Sequence, residues 1–342
     1  KTSPMVLVIG TLIAISAKAL FQLPFVYKEG YRYRPKINLK DPVMKDMMIL
    51  ILPVVIGVGA NQINSIVDKS LASLLGTEVV ASFSYAIKLY EFVQALFITS
   101  ILAVIYPRLS SMIVSDRMDS FLNSLKKTMN VIIVALVPII VGCIVLSRQI
   151  VEVLFQRNAF TSKDTTMTAS ILWIYVIGIL AFALRDVLTR GFYSMEDSKT
   201  PMINSIISIV FNISLNLILV KPLGYKGLAI ATAVSAYIGL LLFNRSMRKK
   251  IEGYSSRDNY IVFVKSLFAA LIMGLGVKLV YGIVASSLVG GLLFKLIALA
   301  SAVGVGVIVY ALIMHFLRVE EYEMIFDMFF GVVKKKVKRL QK

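Results

Sequence analysis

Along most of this chain apolar residues neither alternate nor keep to one helical face; they run on. Predominantly apolar stretches fall at roughly 5–27, 47–75, 79–106, 127–147, 166–189, 202–220, 227–247, 262–285 and 292–316. Each has about the 20 residues with which an α-helix crosses a bilayer. The pattern predicts an all-α, polytopic membrane bundle of about nine transmembrane helices, with no room for a soluble domain between them. Local signals set several edges. Gly76-Thr77 turns the second span into the third, and Thr161-Ser162-Lys163-Asp164 reads as a capping box opening the fifth. Pro201 opens the sixth, with Asp197 and Ser198 as candidate caps. Residues 147–160, "SRQIVEVLFQRNAF", read as a short amphipathic piece on the outer surface. The tail, 317–342, reads either as an interfacial helix drawn to anionic lipid or as a solvated basic end.

Composition agrees with lipid as part of the solvent: 58% of residues are hydrophobic, 16% charged, and mean hydropathy is +0.82. The net charge of +18 would suit nucleic acid if it lay on one domain, but it is scattered between the spans, so no nucleic-acid partner is expected. The connectors 28–45, 107–127, 190–199, 244–258 and 318–342 carry 24 Lys and Arg, against five in those of the other side. That asymmetry puts the basic side in the cytoplasm, Lys1 outside and Lys342 inside, as an odd number of spans requires. One cysteine, Cys143, and one histidine, His315, offer neither an internal disulfide nor a His/Cys metal cluster. No paired acids or nucleophile with a base suggest an enzyme. The chain opens on Lys1, not Met, and residues 5–27 are too long for a secretory signal and lack its cleavage site. The expectation is a chain without its natural N-terminus.

Charges at membrane depth need an account. Arg185, Lys265 and Lys295 lie near span ends, where they can snorkel. Asp186 reads as a structural polar contact. Asp68 and Lys88 lie about ten residues on either side of the turn, hence at one depth, and Glu91 is one helical turn beyond Lys88. They form either a buried ion pair that fixes the hairpin's register or a cation, headgroup or coupling-ion site. Asn212 and Asn216 share one helical face at outer-half depth, with Thr232 at similar depth on the next span and the Leu228 carbonyl one turn above it. Together with Asp68 they make an oxygen-only set with one negative charge, suited to a monovalent cation. Plain interhelical hydrogen bonding by Asn and Thr is the other reading.

Several stretches, in order and each at the matching span, resemble the MurJ/MviN family of lipid II flippases. They are "GYRYRPKINLKDP", "QINSIVDKSLAS", "YAIKLYEFVQALFITSILAVIYPRLSS", "VLFQRNAFTSKDTTMTA", "RGFYSMEDSKTPMINS" and "GLAIATAVS". The family belongs to the multidrug, oligosaccharidyl-lipid and polysaccharide exporters. The resemblance implies a two-lobe exporter of fourteen helices that flips the undecaprenyl-linked peptidoglycan precursor, lipid II, across the bacterial cytoplasmic membrane by alternating access. The nine spans resemble its sixth to fourteenth. Residues 1–27 would then end a truncated N-terminal lobe, 28–46 be a cytoplasmic linker and 47–247 the C-terminal lobe. Residues 248–316 would hold the lipid-tail groove, and 317–342 the basic tail. Lys88, where the family usually has arginine, and Glu91 would face the headgroup, with Asn61, Gln62 and Asn64 in the polar wall of the central cavity. Lys69, about 100° round the helix from Asp68, would be a bystander. The family's sodium site falls on Asp68, Asn212, Asn216, the Leu228 carbonyl and Thr232, with Asn216 where an acid is expected. Small residues in "VGGLL" and "AVGVGV" match the lipid-tail groove or simply pack helices closely. Lipid II and membrane lipids are the implied partners, the protein a monomer, and sodium the one implied cofactor. A flippase for another polyprenyl-linked glycan, or a cation-coupled multidrug exporter, would share the fold.

Overall fold

The computed structural model describes residues 4–30, 42–287 and 291–324; among them the regular elements are ten long α-helices, one π-helical stretch and helical residues 320–324. The chain divides into two units, 1–48 and 49–342. In the first, α1 (Pro4–Lys28) is a 25-residue apolar helix containing Pro24. α2 (Pro42–Leu75) starts on a proline, which suits a first helical position, and runs on into the second unit. Of the expected linker, residues 31–41 lie outside the described ones, as do residues 325–342 of the tail.

In the second unit α2 ends at Gly76, whose φ of 133° few side chains tolerate, and α3 (Thr77–Val93) begins at once. A π-helical stretch, Gln94–Thr99, joins it to α4 (Ser100–Val114), so the third span is one unbroken helical rod. α5 (Met118–Phe155), α6 (Ser162–Ser194), α7 (Lys199–Leu223), α8 (Tyr225–Lys250), α9 (Arg257–Ser287) and α10 (Leu292–Phe316) follow. Nine helical segments among the described residues are long and apolar enough to span a membrane.

The separate amphipathic piece expected at 147–160 does not exist as such. Residues 147–155 continue α5, and Val151 is fully buried in the core that also holds Phe83, Tyr175 and Leu228. Their apolar face packs on protein, not on the membrane surface. The capping box at α6 forms: Thr161 N–H donates to Asp164 Oδ2 (2.8 Å), and Asp164 N–H donates to Thr161 Oγ1. At α7 Asp197, not Ser198, receives the cap bonds, from Thr200 N–H (2.9 Å) and the Thr200 hydroxyl (2.8 Å), and Lys250 donates to it as well. Burial pushes the Asp197 carboxyl upward, but these bonds and the Lys250 charge outweigh it and hold it below its ordinary value.

α5 and α6 form the heart of the bundle, with two-thirds of the α6 span buried. Phe121, Phe192 and Phe243 are fully buried between α5, α6 and α8. α7 and α8 pack as a tight hairpin, because a Cβ on Gly227 would lie 2.2 Å from the Leu219 carbonyl oxygen. Between α5, α9 and α10 lies an apolar cavity of about 440 Å³, lined by Pro138, Cys143, Met273, Gly306, Tyr310 and Tyr322 among others. Gly306 serves close packing there, since a Cβ would meet Val277 at 2.6 Å, whereas Gly304 borders open space.

Past α10 the chain turns back into the protein. Glu321, 7% exposed, accepts from Asn130 of α5 (2.7 Å), whose own oxygen accepts from Asn259 of α9 (2.6 Å). Asn259 also donates to the Lys126 carbonyl at 3.1 Å. With Val319 buried too, these first residues of the tail are docked on the bundle.

Candidate cation site and cavity

α2 carries Asn61, Asn64 and Asp68 at spacings of three and four, which puts them along one helical face. Asn61 donates locally, its NH₂ to the Gly57 carbonyl at 2.9 Å. Asn64 donates to Asp68 Oδ2 at 3.4 Å. From α7, Asn216 donates to Asp68 Oδ1 (2.6 Å) and to Asn212 Oδ1 (3.0 Å). Asn212 in turn donates to Ser235 (3.1 Å) and Thr232 (3.5 Å) of α8, and the Thr232 hydroxyl donates to the Leu228 carbonyl (3.0 Å). One hydrogen-bonded chain therefore links α2, α7 and α8 and contains all five residues expected of a sodium site. Asn212, Asn216 and Leu228 are at most 2% exposed. Two buried amide oxygens in the cluster, Asn64 Oδ1 and Asn216 Oδ1, accept no hydrogen bond.

Beside the cluster opens a cavity of about 230 Å³, lined by Asn61, Asn64, Ser65, Asp68, Lys69, Ser84, Thr232 and a wall of Phe83, Tyr90, Tyr175 and Phe182. At ~30 Å³ per water it holds several waters or a small hydrated ion. The aromatic wall is braced edge-on, with Tyr90 6.0 Å from both Tyr175 and Phe182 and Phe83 6.1 Å from Tyr175. These rings, and Ser235, carried no signal in the sequence beyond helical apolarity. Lys69, expected off to one side, lines the cavity as well, because the cavity wraps more than one stripe of α2, from Asp68 and Ala72 round to Ser65 and Lys69.

Other candidates fall elsewhere. Phe83, Ile87 and Tyr90 form the cavity face of α3, and Lys88 lies about 100° round from Ile87. It is exposed, with its ammonium 5.7 Å from the Tyr85 ring centre. Glu91 and Gln62 are exposed too, and none of the three lines this cavity. No ion pair joins Lys88 to Asp68 or Glu91 among the described residues, so the register bridge is not formed. The snorkelling cations are held by protein instead: Arg185 pairs with Asp186 at 3.6 Å, Lys295 with Glu152 at 2.6 Å, and Lys265 donates to the Leu317 carbonyl after α10. At the π-helical stretch a third cavity, of about 430 Å³, is lined by Gln94, Tyr106, Asp186 and Arg190 among others, with the Arg190 guanidinium 5.4 Å from the Tyr106 ring centre.

Comparison with known proteins bears on what such a bundle does. Residues 1–299 match the family model described as lipid II flippase MurJ. A probable lipid II flippase MurJ of Vibrio cholerae is 33% identical over 313 residues, covering 92% of this chain and 60% of that protein. One of Haemophilus influenzae is 33% identical over 279 residues, covering 80% and 54%. Among solved structures, a lipid II flippase MurJ in an inward closed conformation superposes with a TM-score of 0.66 at 25% identity, covering 84% of this chain and 57% of the other. An outward-facing multidrug resistance MATE transporter of the MOP superfamily, at TM-score 0.54 and 15% identity, shares the fold alone. The chain thus spans about 60% or less of the length of these flippases.

Proposed function

Because the chain belongs to the lipid II flippase MurJ family, we propose that it forms the C-terminal part of a transporter that moves lipid II from the cytoplasmic to the outer leaflet by alternating access. The chain is a multi-pass protein of the bacterial inner membrane. The observation that carries the reading is a family match over residues 1–299, beside a carboxylate and amide cluster held inside a lipid-embedded bundle. Such a cluster is costly in hydrocarbon unless it serves a path or a ligand. The protein works as a monomer and needs no covalent chemistry of its own.

The ligand of the cluster is one sodium ion, held by Asp68, Asn212, Asn216, Thr232 and the Leu228 carbonyl. The fit rests on Asn216 Oδ1, a buried acceptor without a donor, and on a donor set of oxygens with one negative charge. The ion supplies the countercharge for Asp68 and a partner for that oxygen. Asn216, where an acid is expected, leaves the set one charge poorer, which favours weaker binding of a monovalent ion. Lys88, with Glu91 one turn on, offers the anionic headgroup a point charge without arginine's bidentate fork. Gln62 and Asn61 belong to the polar surface the headgroup passes. In a strain depleted of its own lipid II flippase, the protein carrying this chain should restore growth, and its Lys88→Ala and Asp68→Ala variants should not, at equal membrane levels. No rescue by the unaltered protein would refute the substrate reading. Full rescue by Lys88→Ala would reduce that residue to surface.

A further inference from the structure

We propose that Asn64 is a further ligand of the bound cation and that Asp68 aims its amide, and that of Asn216, at the ion. The inference rests on the sodium reading above. A carboxylate can only accept, and a primary amide has one accepting and one donating end. Asp68 therefore fixes how both amides point: Asn64 gives its NH₂ to Oδ2 and Asn216 gives its NH₂ to Oδ1. Turning either amide over would set a carbonyl oxygen against the carboxylate. The oxygen ends are thereby left without a donor, and both are buried.

One orphaned acceptor is a common site for an internal water. Two, on side chains clamped by the two oxygens of one carboxylate, make a pattern. Two neutral oxygens flank a single charge on one chain of bonds with Thr232 and the Leu228 carbonyl, which is how a protein holds a hard monovalent cation. The neighbours of Asn64 sharpen the assignment. Asn61, one turn earlier, and Gln62 are both exposed, so of the three amides on this part of α2 only Asn64 has a buried oxygen without a donor. A ligand on α2 also adds an oxygen donor to a set that holds only the one charge of Asp68.

The test is the sodium dependence of melting for the purified protein, titrated with NaCl against choline chloride at constant ionic strength. The unaltered protein and Asn123→Ala, an exposed amide on α5 away from the cluster, should share one sodium midpoint. Asn64→Ala should melt as a folded protein in choline with its sodium midpoint raised about tenfold, equivalent to ~1.4 kcal/mol of binding. Asn64→Asp, which keeps the oxygen and adds charge, should lower the midpoint, and it carries the test if the alanine variant fails to fold. A purely structural role for Asn64 would depress melting equally in both salts and leave the midpoint unmoved. An unmoved midpoint in either variant overturns the proposal while the sodium site stands. Absence of any sodium-specific shift in the unaltered protein removes the sodium reading and this proposal with it.

Discussion

The relay from Glu321 through Asn130 to Asn259 is the most exposed to a single mutation, because each member is buried and each bond is directional. Asn130→Ala deletes the donor to the Glu321 carboxylate at 2.7 Å and the acceptor for Asn259 at 2.6 Å. A hydrogen bond to a charged group contributes roughly 1.5–3 kcal/mol and a neutral one about 1 kcal/mol. Asn259 keeps the Lys126 carbonyl, which limits the second loss. The sum is about 2–4 kcal/mol, and at ~2–4 °C per kcal/mol for a chain of this order the melting temperature should fall by roughly 4–16 °C. Glu321→Gln keeps a carbonyl oxygen for the Asn130 amide and should cost only ~1 kcal/mol. The assay is thermal loss of helical circular dichroism in detergent for both variants, for Glu321→Leu and for Asn130→Ala with Glu321→Leu. The double variant should be less destabilised than the two singles added, by at least ~1.5 kcal/mol, because removing Glu321 removes the stranded charge. Strict additivity, or a melting point for Asn130→Ala within 2 °C of the unaltered protein, would refute the reasoning.

Gly227→Ala should abolish stable membrane expression, since the new methyl meets backbone at 2.2 Å, whereas Gly239→Ala meets side-chain atoms, the Ser208 hydroxyl nearest at 2.7 Å, and should express with modestly reduced melting. Asp197 makes a pH prediction. Its folded carboxyl titrates below its ordinary value, so its contribution is complete above about pH 4 and is lost as pH falls through the lowered folded value; the Asp197→Asn variant should lose less stability than the parent between pH 5 and pH 3 in parallel melts. Orientation is checked with single cysteines in a Cys143→Ser background. An impermeant maleimide added to intact cells should label Arg157→Cys and spare Glu252→Cys, and the reverse result would invert the topology.

What could be read from the sequence was local. The Thr161–Asp164 box, the break at Gly76 and the shared face of Asn212 and Asn216 depend on residues a few positions apart, and the fold keeps all three. The nine spans followed from apolar length alone. What escaped depends on partners far along the chain. Asn130 and Glu321 are 191 positions apart, and Asp68 and Asn216 are 148 apart, so periodicity does not register either pair. The depth argument brought Asp68 towards Asn216 but also towards Lys88, because depth fixes height in the membrane and says nothing of azimuth. Lys69 lines the cavity and Lys88 does not for the same reason: each lies about 100° from the residue used as its guide. The end of α5 was misread because an apolar face that packs on protein has the same spacing as one that lies on lipid.

The π-helical stretch at Gln94–Thr99 has a consequence for the phase of the third span. A π-bulge accommodates one residue more than an α-helix of the same rise, so every side chain after it is turned by about 100° relative to an uninterrupted helix. Leu102 and Leu109, buried at 7% and 0% exposure, face the core only in that rotated frame, and Tyr106 meets Arg190 in it. Excising one residue between 95 and 98 would leave a more regular helix with its lower half dialled to the wrong bearing. Leu102 and Leu109 would swing out of the core, and Tyr106 away from Arg190. Regularity here would be the defect, and the extra residue keeps the two halves of the rod aimed at different neighbours.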